Sequence, residues 1–247
     1  MGDVHSVSVV IPARDEAATI AAVVASARAG AALAEIVVVD DGSTDRTAEQ
    51  ARLAGARVAP SAGRGKGAAL WTGLRETAGD LVVFLDADVT DPRPAMVARL
   101  VDALVRDPGL VMVKAAYARP HNGEPGEGGR VTELVARPAI ALLFPELAHI
   151  TQPLAGEAII RRSALETVPF VEGYGVDLAL LLDLADRFGP TAVGEVDLGE
   201  RSHRNRPLRE LAPMATEVLR VALDRAARRG STPARPPERP ADALLLP

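Results

Sequence analysis

Cysteine is absent from the 247 residues, which removes disulfides, thiolate metal sites and a thiol nucleophile together. Any metal must be held by oxygen or imidazole. Aromatic side chains make up only 3% of the chain, so the core has to be assembled from Ala, Val and Leu. Few stacking platforms remain for single-stranded nucleic acid. Excess positive charge is also missing: 28 Lys and Arg face 33 Asp and Glu, for a net charge of −5, whereas a phosphate-backbone binder carries a concentrated positive surface. No run reaches the ~18 uninterrupted apolar residues that a spanning helix needs. The sequence opens through Asp3 and His5 without the basic-then-apolar pattern of a secretory leader. These absences predict a cytoplasmic protein that engages neither nucleic acid nor membrane.

What is present is ordinary globular composition, 48% hydrophobic and 25% charged, in a length that fits one large α/β domain or a domain with a modest second lobe. The apolar run Val7 to Ile11 precedes an Ala-rich helix-like stretch, Glu16 to Ala29. Ile36 to Val39 is a second strand and Thr44 to Ala54 a second helix, opened by Ser, Thr and Asp capping candidates. A short strand near Arg57 to Ala59, a helix from Ala68 to Thr77 and the apolar strand Leu81 to Leu85 continue the alternation. Continuous apolar strands between helices predict a mainly parallel sheet covered on both faces. Pro94 to Val105, Val131 to Leu143, Val176 to Arg187 and Leu208 to Arg229 read as helices. Val111 to Tyr117, with Lys114 embedded, and Ala192 to Leu198 read as strands. His121 to Gly129 reads as a flexible loop, and the Pro-rich stretch from 231 to 247 as a disordered tail. The expected division is a nucleotide-binding half at 1–118, an acceptor half of the same domain at 119–230, and that tail.

In such a sheet ligands bind beyond the carboxyl ends of the strands, and the polar residues gather there. Val82-Val83-Phe84-Leu85-Asp86-Ala87-Asp88 delivers two carboxylates, one residue apart, to the sheet edge. Mg²⁺ or Mn²⁺ suits such a pair, taking its remaining ligands from water and substrate phosphate. A diphosphate held through that metal becomes a better leaving group. A solvated strand-to-loop turn is the plainer account of the same residues; the upstream pattern favours the metal. Asp40, Gly42 and Ser43 follow the second strand, where an acidic residue can accept hydrogen bonds from a base or ribose, and capping by Ser43 or Asp45 fits the same segment. Pro12, Ala13, Arg14 and Glu16 form the matching wall of a nucleotide pocket. Ser61 to Gly67 sets backbone amides, Arg64 and Lys66 in a loop before a helix, a geometry suited to diphosphate. It is not a P-loop, because no Gly-Lys-Ser/Thr ends it.

The ordered run Pro-Ala-Arg-Asp-Glu, Val-Asp-Asp-Gly-Ser-x-Asp and Asp-x-Asp over roughly residues 6 to 90 resembles the nucleotide-sugar-binding half of GT-A glycosyltransferases. Farther on, Gly129 to Pro138, Gln152 to Glu157, Gly173 to Val176 and His203 to Leu208 resemble the glucosyl-3-phosphoglycerate synthases. The resemblance implies a retaining, Mg²⁺- or Mn²⁺-dependent enzyme that moves glucose from UDP-glucose to 3-phosphoglycerate, working as a homodimer on a nucleotide sugar and a small phosphorylated acid. It implies Asp86, Asp88 and His203 as metal ligands. It places Pro12, Ala13, Arg14, Glu16, Asp40, Gly42, Ser43, Lys66, Asp86 and Ala87 at the nucleotide sugar. It places Arg119, Gly129, Arg130, Val131, Thr132 and Asn205 at the acceptor, and gives Asp88, Glu157 and Asp177 the catalytic roles. Arginine with backbone and hydroxyl donors suits a trianionic acceptor. Asp177 stands where that family has Glu, which draws a carboxylate back by one methylene, and Ala87 stands where it has Ser. Alternatives are a GDP-mannose donor or a polyprenyl phosphate acceptor, and a nucleotide-sugar-binding protein without turnover. A nucleotidyltransferase would place its Gly-rich loop directly after the first strand, where this chain has Pro-Ala-Arg-Asp-Glu.

Overall fold

The computed structural model describes residues 5–118, 129–200 and 208–232. Strands β1 (Val7–Ala13), β2 (Glu35–Asp40), β3 (Arg57–Pro60) and β4 (Leu81–Phe84) alternate with helices α1 (Ile20–Gly30), α2 (Thr47–Leu53) and α3 (Lys66–Glu76). Helix α4 (Ala95–Arg106) and strand β5 (Met112–Ala118) follow. Then come α5 (Arg137–Leu143), β6 (Ala158–Arg161), the single-turn α6 (Arg162–Leu165), α7 (Val176–Phe188), β7 (Val193–Glu200) and α8 (Leu208–Arg228). The seven strands of the described residues join in one sheet, ordered β3-β2-β1-β4-β6-β5-β7. β1 pairs in parallel with β2 and β4, whereas β6 runs antiparallel to both β4 and β5.

The two-residue period of each strand sends alternate side chains into two cores. Val9, Ile11, Ile36, Val38 and Val83 meet Ile20, Val23, Ala51, Leu100 and Leu104 from α1, α2 and α4. Val10, Val37, Val39, Val82 and Phe84 meet Leu70, Ile140, Leu181 and Val218 from α3, α5, α7 and α8. Both faces are therefore covered, and the strands read as apolar runs rather than as alternating ones. Each large aliphatic side chain lost from such a layer costs about 2–5 kcal/mol.

Three elements differ from expectation for identifiable reasons. β6 is only four residues long, too short for its Ala-Ile-Ile run to declare a strand by periodicity. It is held by pairing with β4 and β5 on both sides. The expected helix from Val131 to Leu143 is a π-helical turn, Thr132–Ala136, that continues into α5. Pro138 has no N–H to donate to the Leu134 carbonyl, so the helix widens where that bond is missing. Helix α1 begins at Ile20 rather than Glu16, because the residues before it are engaged with the loop after β2. The strands on either side of residue 118 share the one sheet. Of the Pro-rich terminal stretch, all but Ser231 and Thr232 lies outside the described residues.

Candidate functional site

A cleft of about 400 Å³ opens beyond the carboxyl ends of β1, β2 and β4. One wall comes from Pro12, Ala13, Arg14, Glu16 and Asp41, with Gly65, Lys66, Asp86, Ala87 and Asp88 at its base. Gly129, Arg130, Val131 and Thr132 stand across it, together with Leu154, Tyr174, Asp177 and three side chains of α8, Leu211, Met214 and Val218.

The first wall is tied together by side chains bonded to backbone. Asp15 takes a left-handed backbone conformation, φ 56°. Its Oδ1 accepts from the Thr44 backbone N–H at 2.7 Å and from the Thr44 hydroxyl at 3.0 Å. The bond from the Thr44 backbone leads the Thr44 contacts in holding the Asp15 carboxyl below its ordinary range. Ser43 Oγ accepts from the Asp15 N–H, Thr47 Oγ1 from Glu16 and Asp45 Oδ2 from Ala17. The loops after β1 and β2 therefore fix one another. Asp40 Oδ1 accepts from the Ser43 N–H at 3.0 Å, and neither Asp40, Gly42 nor Ser43 lines the cleft. The carboxylate that does line it is Asp41, whose Oδ2 accepts from the Gly65 N–H at 2.9 Å and so links this wall to the loop before α3.

Lys66 opens α3 and reaches two carboxylates, Asp86 Oδ1 at 2.9 Å and Asp177 Oδ2 at 2.8 Å. Burial pulls the lysine pKa down, but the charges of Asp177 and Asp86 outweigh it and raise the pKa above the ordinary value. Its ammonium stays charged across the physiological range. Burial pushes the Asp177 carboxyl up, against the pull of Lys66. Asp86 lies against Gly156 so closely that a Cβ there would stand 2.1 Å from Asp86 Oδ1. Any side chain at that position would displace the carboxylate.

Asp86 and Asp88 fit a hard divalent cation. They set two carboxylates one residue apart at the base of the cleft, the donor set of an ion that keeps water and phosphate among its ligands. The described residues contain no group of three His, Cys, Asp or Glu that would enclose a metal. His203, expected as the third ligand, and the acceptor candidates Arg119 and Asn205 lie outside the described residues.

Glu157 is placed differently from its expected role. It has no exposed surface and does not line the cleft; its Oε2 accepts from the Tyr117 hydroxyl at 3.0 Å. Sequence reasoning did not single out Asp41 above Asp40, nor Leu154, Tyr174 and the α8 face. The first is decided by which of two adjacent carboxylates turns inward, a tertiary fact. The apolar side chains carry no chemical signal of their own.

The Glycosyl transferase family 2 model matches residues 8–168. The glucosyl-3-phosphoglycerate synthase of Mycolicibacterium paratuberculosis is 46% identical over 238 residues, covering 90% of this chain and 72% of the relative. A crystal structure of the Mycobacterium tuberculosis glucosyl-3-phosphoglycerate synthase with Mn²⁺, UDP-glucose and phosphoglyceric acid superposes with a TM-score of 0.84 at 43% identity. It covers 90% of this chain and 80% of that one. A structure of the same Mycobacterium tuberculosis enzyme with Mn²⁺, UDP and glucosyl-3-phosphoglycerate also gives 0.84 at 43% identity, with the same coverage.

Proposed function

The chain belongs to glycosyl transferase family 2 and, within it, to the glucosyl-3-phosphoglycerate synthases, and from that premise we infer that its cleft transfers glucose from UDP-glucose to 3-phosphoglycerate with the aid of a divalent metal. The observation that carries this reading is one cleft lined together by Lys66, Asp86, Asp88, Asp177, Arg130 and Thr132, with Lys66 bonded to both Asp86 and Asp177.

Each wall has its own task. Pro12, Ala13, Arg14, Glu16 and Asp41 enclose the uridine and its ribose, where an inward carboxylate accepts from hydroxyl or base N–H groups. Lys66 holds the diphosphate as a point charge, in a part-buried site where charge is screened less than in water. A divalent cation bound by Asp86 and Asp88 supplies neutralisation of the negative charge that develops on the departing diphosphate. Asp177, in the first turn of α7, orients hydroxyl groups of the glucose. Arg130 and Thr132 hold the phosphate or carboxylate of the acceptor with charge-assisted bonds.

Transfer with retention then proceeds on one face of the sugar. The C1–O bond to the diphosphate breaks, the acceptor hydroxyl oxygen bonds C1 from the same side, and the hydroxyl proton passes to the departing diphosphate oxygen. The side chains contribute proximity and fixed charge rather than a covalent nucleophile.

Two copies associate in this reading. A cytoplasmic location belongs to the same reading. Among the described residues no helix is long and apolar enough to cross a membrane.

The test is product formation by purified protein with Mg²⁺ or Mn²⁺ and 3-phosphoglycerate, offering UDP-glucose, GDP-glucose and GDP-mannose in parallel. Released UDP together with a glycosylated acid is the expected result. UDP release with no glycosylated acid would discard this acceptor while leaving the donor site in place.

A further inference from the structure

Lys114 stands in the middle of β5 with 1% of its surface exposed, among Val and Ala neighbours in the strand. Burial lowers its ammonium pKa to about 8, against the opposing pull of the Asp177 carboxylate. A chain selected only for folding has little reason to keep it, because a well-packed apolar side chain of similar volume avoids that desolvation. Its Nζ donates to the Ala155 carbonyl at 2.9 Å. Ala155 lies between Leu154, which lines the cleft, and Gly156, against which the Asp86 carboxylate is packed. The next residue of β5, Ala115, donates its N–H to the Glu157 carbonyl at 2.9 Å. β5 thus grips the chain on both sides of Gly156, once through a side chain and once through backbone.

We propose that Lys114 is a positioning residue for glycosyl transfer: it fixes the Leu154-Ala155-Gly156 backbone that supports the Asp86 carboxylate and carries Leu154 to the cleft wall. This rests on the glycosyl-transfer reading given above. Groups that orient a ligating carboxylate from behind typically change metal affinity or activity by about 10- to 100-fold when removed.

The experiment is Lys114→Met in the full chain, with three readings: kcat for UDP-glucose and 3-phosphoglycerate, the Mn²⁺ concentration that half-saturates UDP binding by calorimetry, and Tm. The expected result is a fall in kcat of about 10- to 100-fold and a higher Mn²⁺ requirement, with Tm unchanged or raised. Arg161→Met serves as the structural control. That guanidinium also holds main-chain carbonyls, those of Leu110 at 2.8 Å and Leu104 at 3.1 Å, and its loss is expected to lower Tm without altering kcat or the Mn²⁺ requirement. Wild-type kcat and Mn²⁺ requirement in Lys114→Met, or a lowered Tm with unchanged kcat per folded molecule, would overturn the proposal. If Lys114→Met does not fold, Lys114→Gln, which keeps an N–H donor, is expected to show a smaller loss in the same direction, and wild-type values there overturn it equally. Wild-type turnover measured alongside separates a wrong acceptor from a wrong role for Lys114, since Mn²⁺-dependent UDP binding reads the latter without any acceptor.

Discussion

The two walls of the cleft are held by different means. The first wall hangs from the ends of parallel strands, and its loops are cross-tied by short side-chain-to-backbone bonds from Asp15, Asp40, Asp41, Ser43, Asp45 and Thr47. The opposite wall combines a π-helical turn, a tight turn at Gly173–Gly175 and one face of α8. One polar tie in it is Glu217 of α8, whose Oε2 accepts from the Tyr174 N–H at 2.6 Å. The first wall is built from loops close in sequence, those after β1 and β2 with the Gly65 loop; the second is assembled from segments far apart. In the proposed function the nucleotide sugar meets the locally specified wall and the acceptor meets the other. That division predicts which substitutions abolish chemistry outright and which only misalign it.

The largest effect belongs to the carboxylates at the base of the first wall. Asp88→Asn keeps the shape of the side chain and removes its charge, so the fold and Tm should survive while turnover falls by about 10³-fold, the scale of losing a group that stabilises developing charge. Chelation of the metal by EDTA should act likewise on the wild type, and Mn²⁺ should restore the wild type alone. Turnover in Asp88→Asn within a few-fold of wild type would remove Asp88 from the metal site and break the comparison at its base.

Legibility in the sequence follows the same division. Alternating apolar strands and helices announced the sheet from β1 to β4, because each strand is a run of buried Val, Ile and Leu and each loop carries its own Asp, Ser and Gly signals. Asp86, Asp88 and Lys66 stood out because their chemistry is local to a strand end or a loop. β6 did not stand out, since four residues held by neighbours on both sides show no period. The choice between Asp40 and Asp41 was equally hidden: one caps Ser43 and the other reaches Gly65, and adjacent side chains point opposite ways in a strand whose exact end the sequence does not declare. Glu157 was legible as a carboxylate but not as one with no exposed surface, because burial is decided by β5 and by the Tyr117 hydroxyl. The apolar side of the cleft carried no signal, since Leu211, Met214 and Val218 read as ordinary core positions of a helix.

An intermediate effect is expected at the second wall's hinge point. Gly173 holds φ +75°, and a Cβ there would stand 2.3 Å from Glu217 Oε2. Gly173→Ala therefore adds about 1–2 kcal/mol of left-handed strain and displaces the carboxylate that fixes Tyr174. The turn leads directly into α7 and Asp177, so a shift there of about 1 Å should lower kcat/KM for the full reaction by about 10²-fold. Binding of UDP with Mn²⁺, measured by calorimetry, should fall far less. Equal losses in both would mean that the walls move as one body.

The smallest effect is expected where the walls meet. Asp177 belongs to the second wall by sequence and is bonded at 2.8 Å to Lys66 of the first. Asp177→Glu keeps the charge and the first-turn position on α7, where the helix N-terminus favours a carboxylate, but carries the oxygens one methylene deeper into the cleft. If the second wall is adaptable, its turn can retreat to restore the contact with Lys66, and kcat/KM for UDP-glucose should change by about 10-fold or less, about 1.4 kcal/mol. Asp177→Asn, which removes the charge without changing the reach, should cost more. The ratio of the two variants therefore measures compliance directly. A Glu variant as impaired as the Asn variant would show that the acceptor wall is held as rigidly as the nucleotide wall, and that the length of this one side chain, rather than the adaptability of the turn before it, sets the position of the sugar.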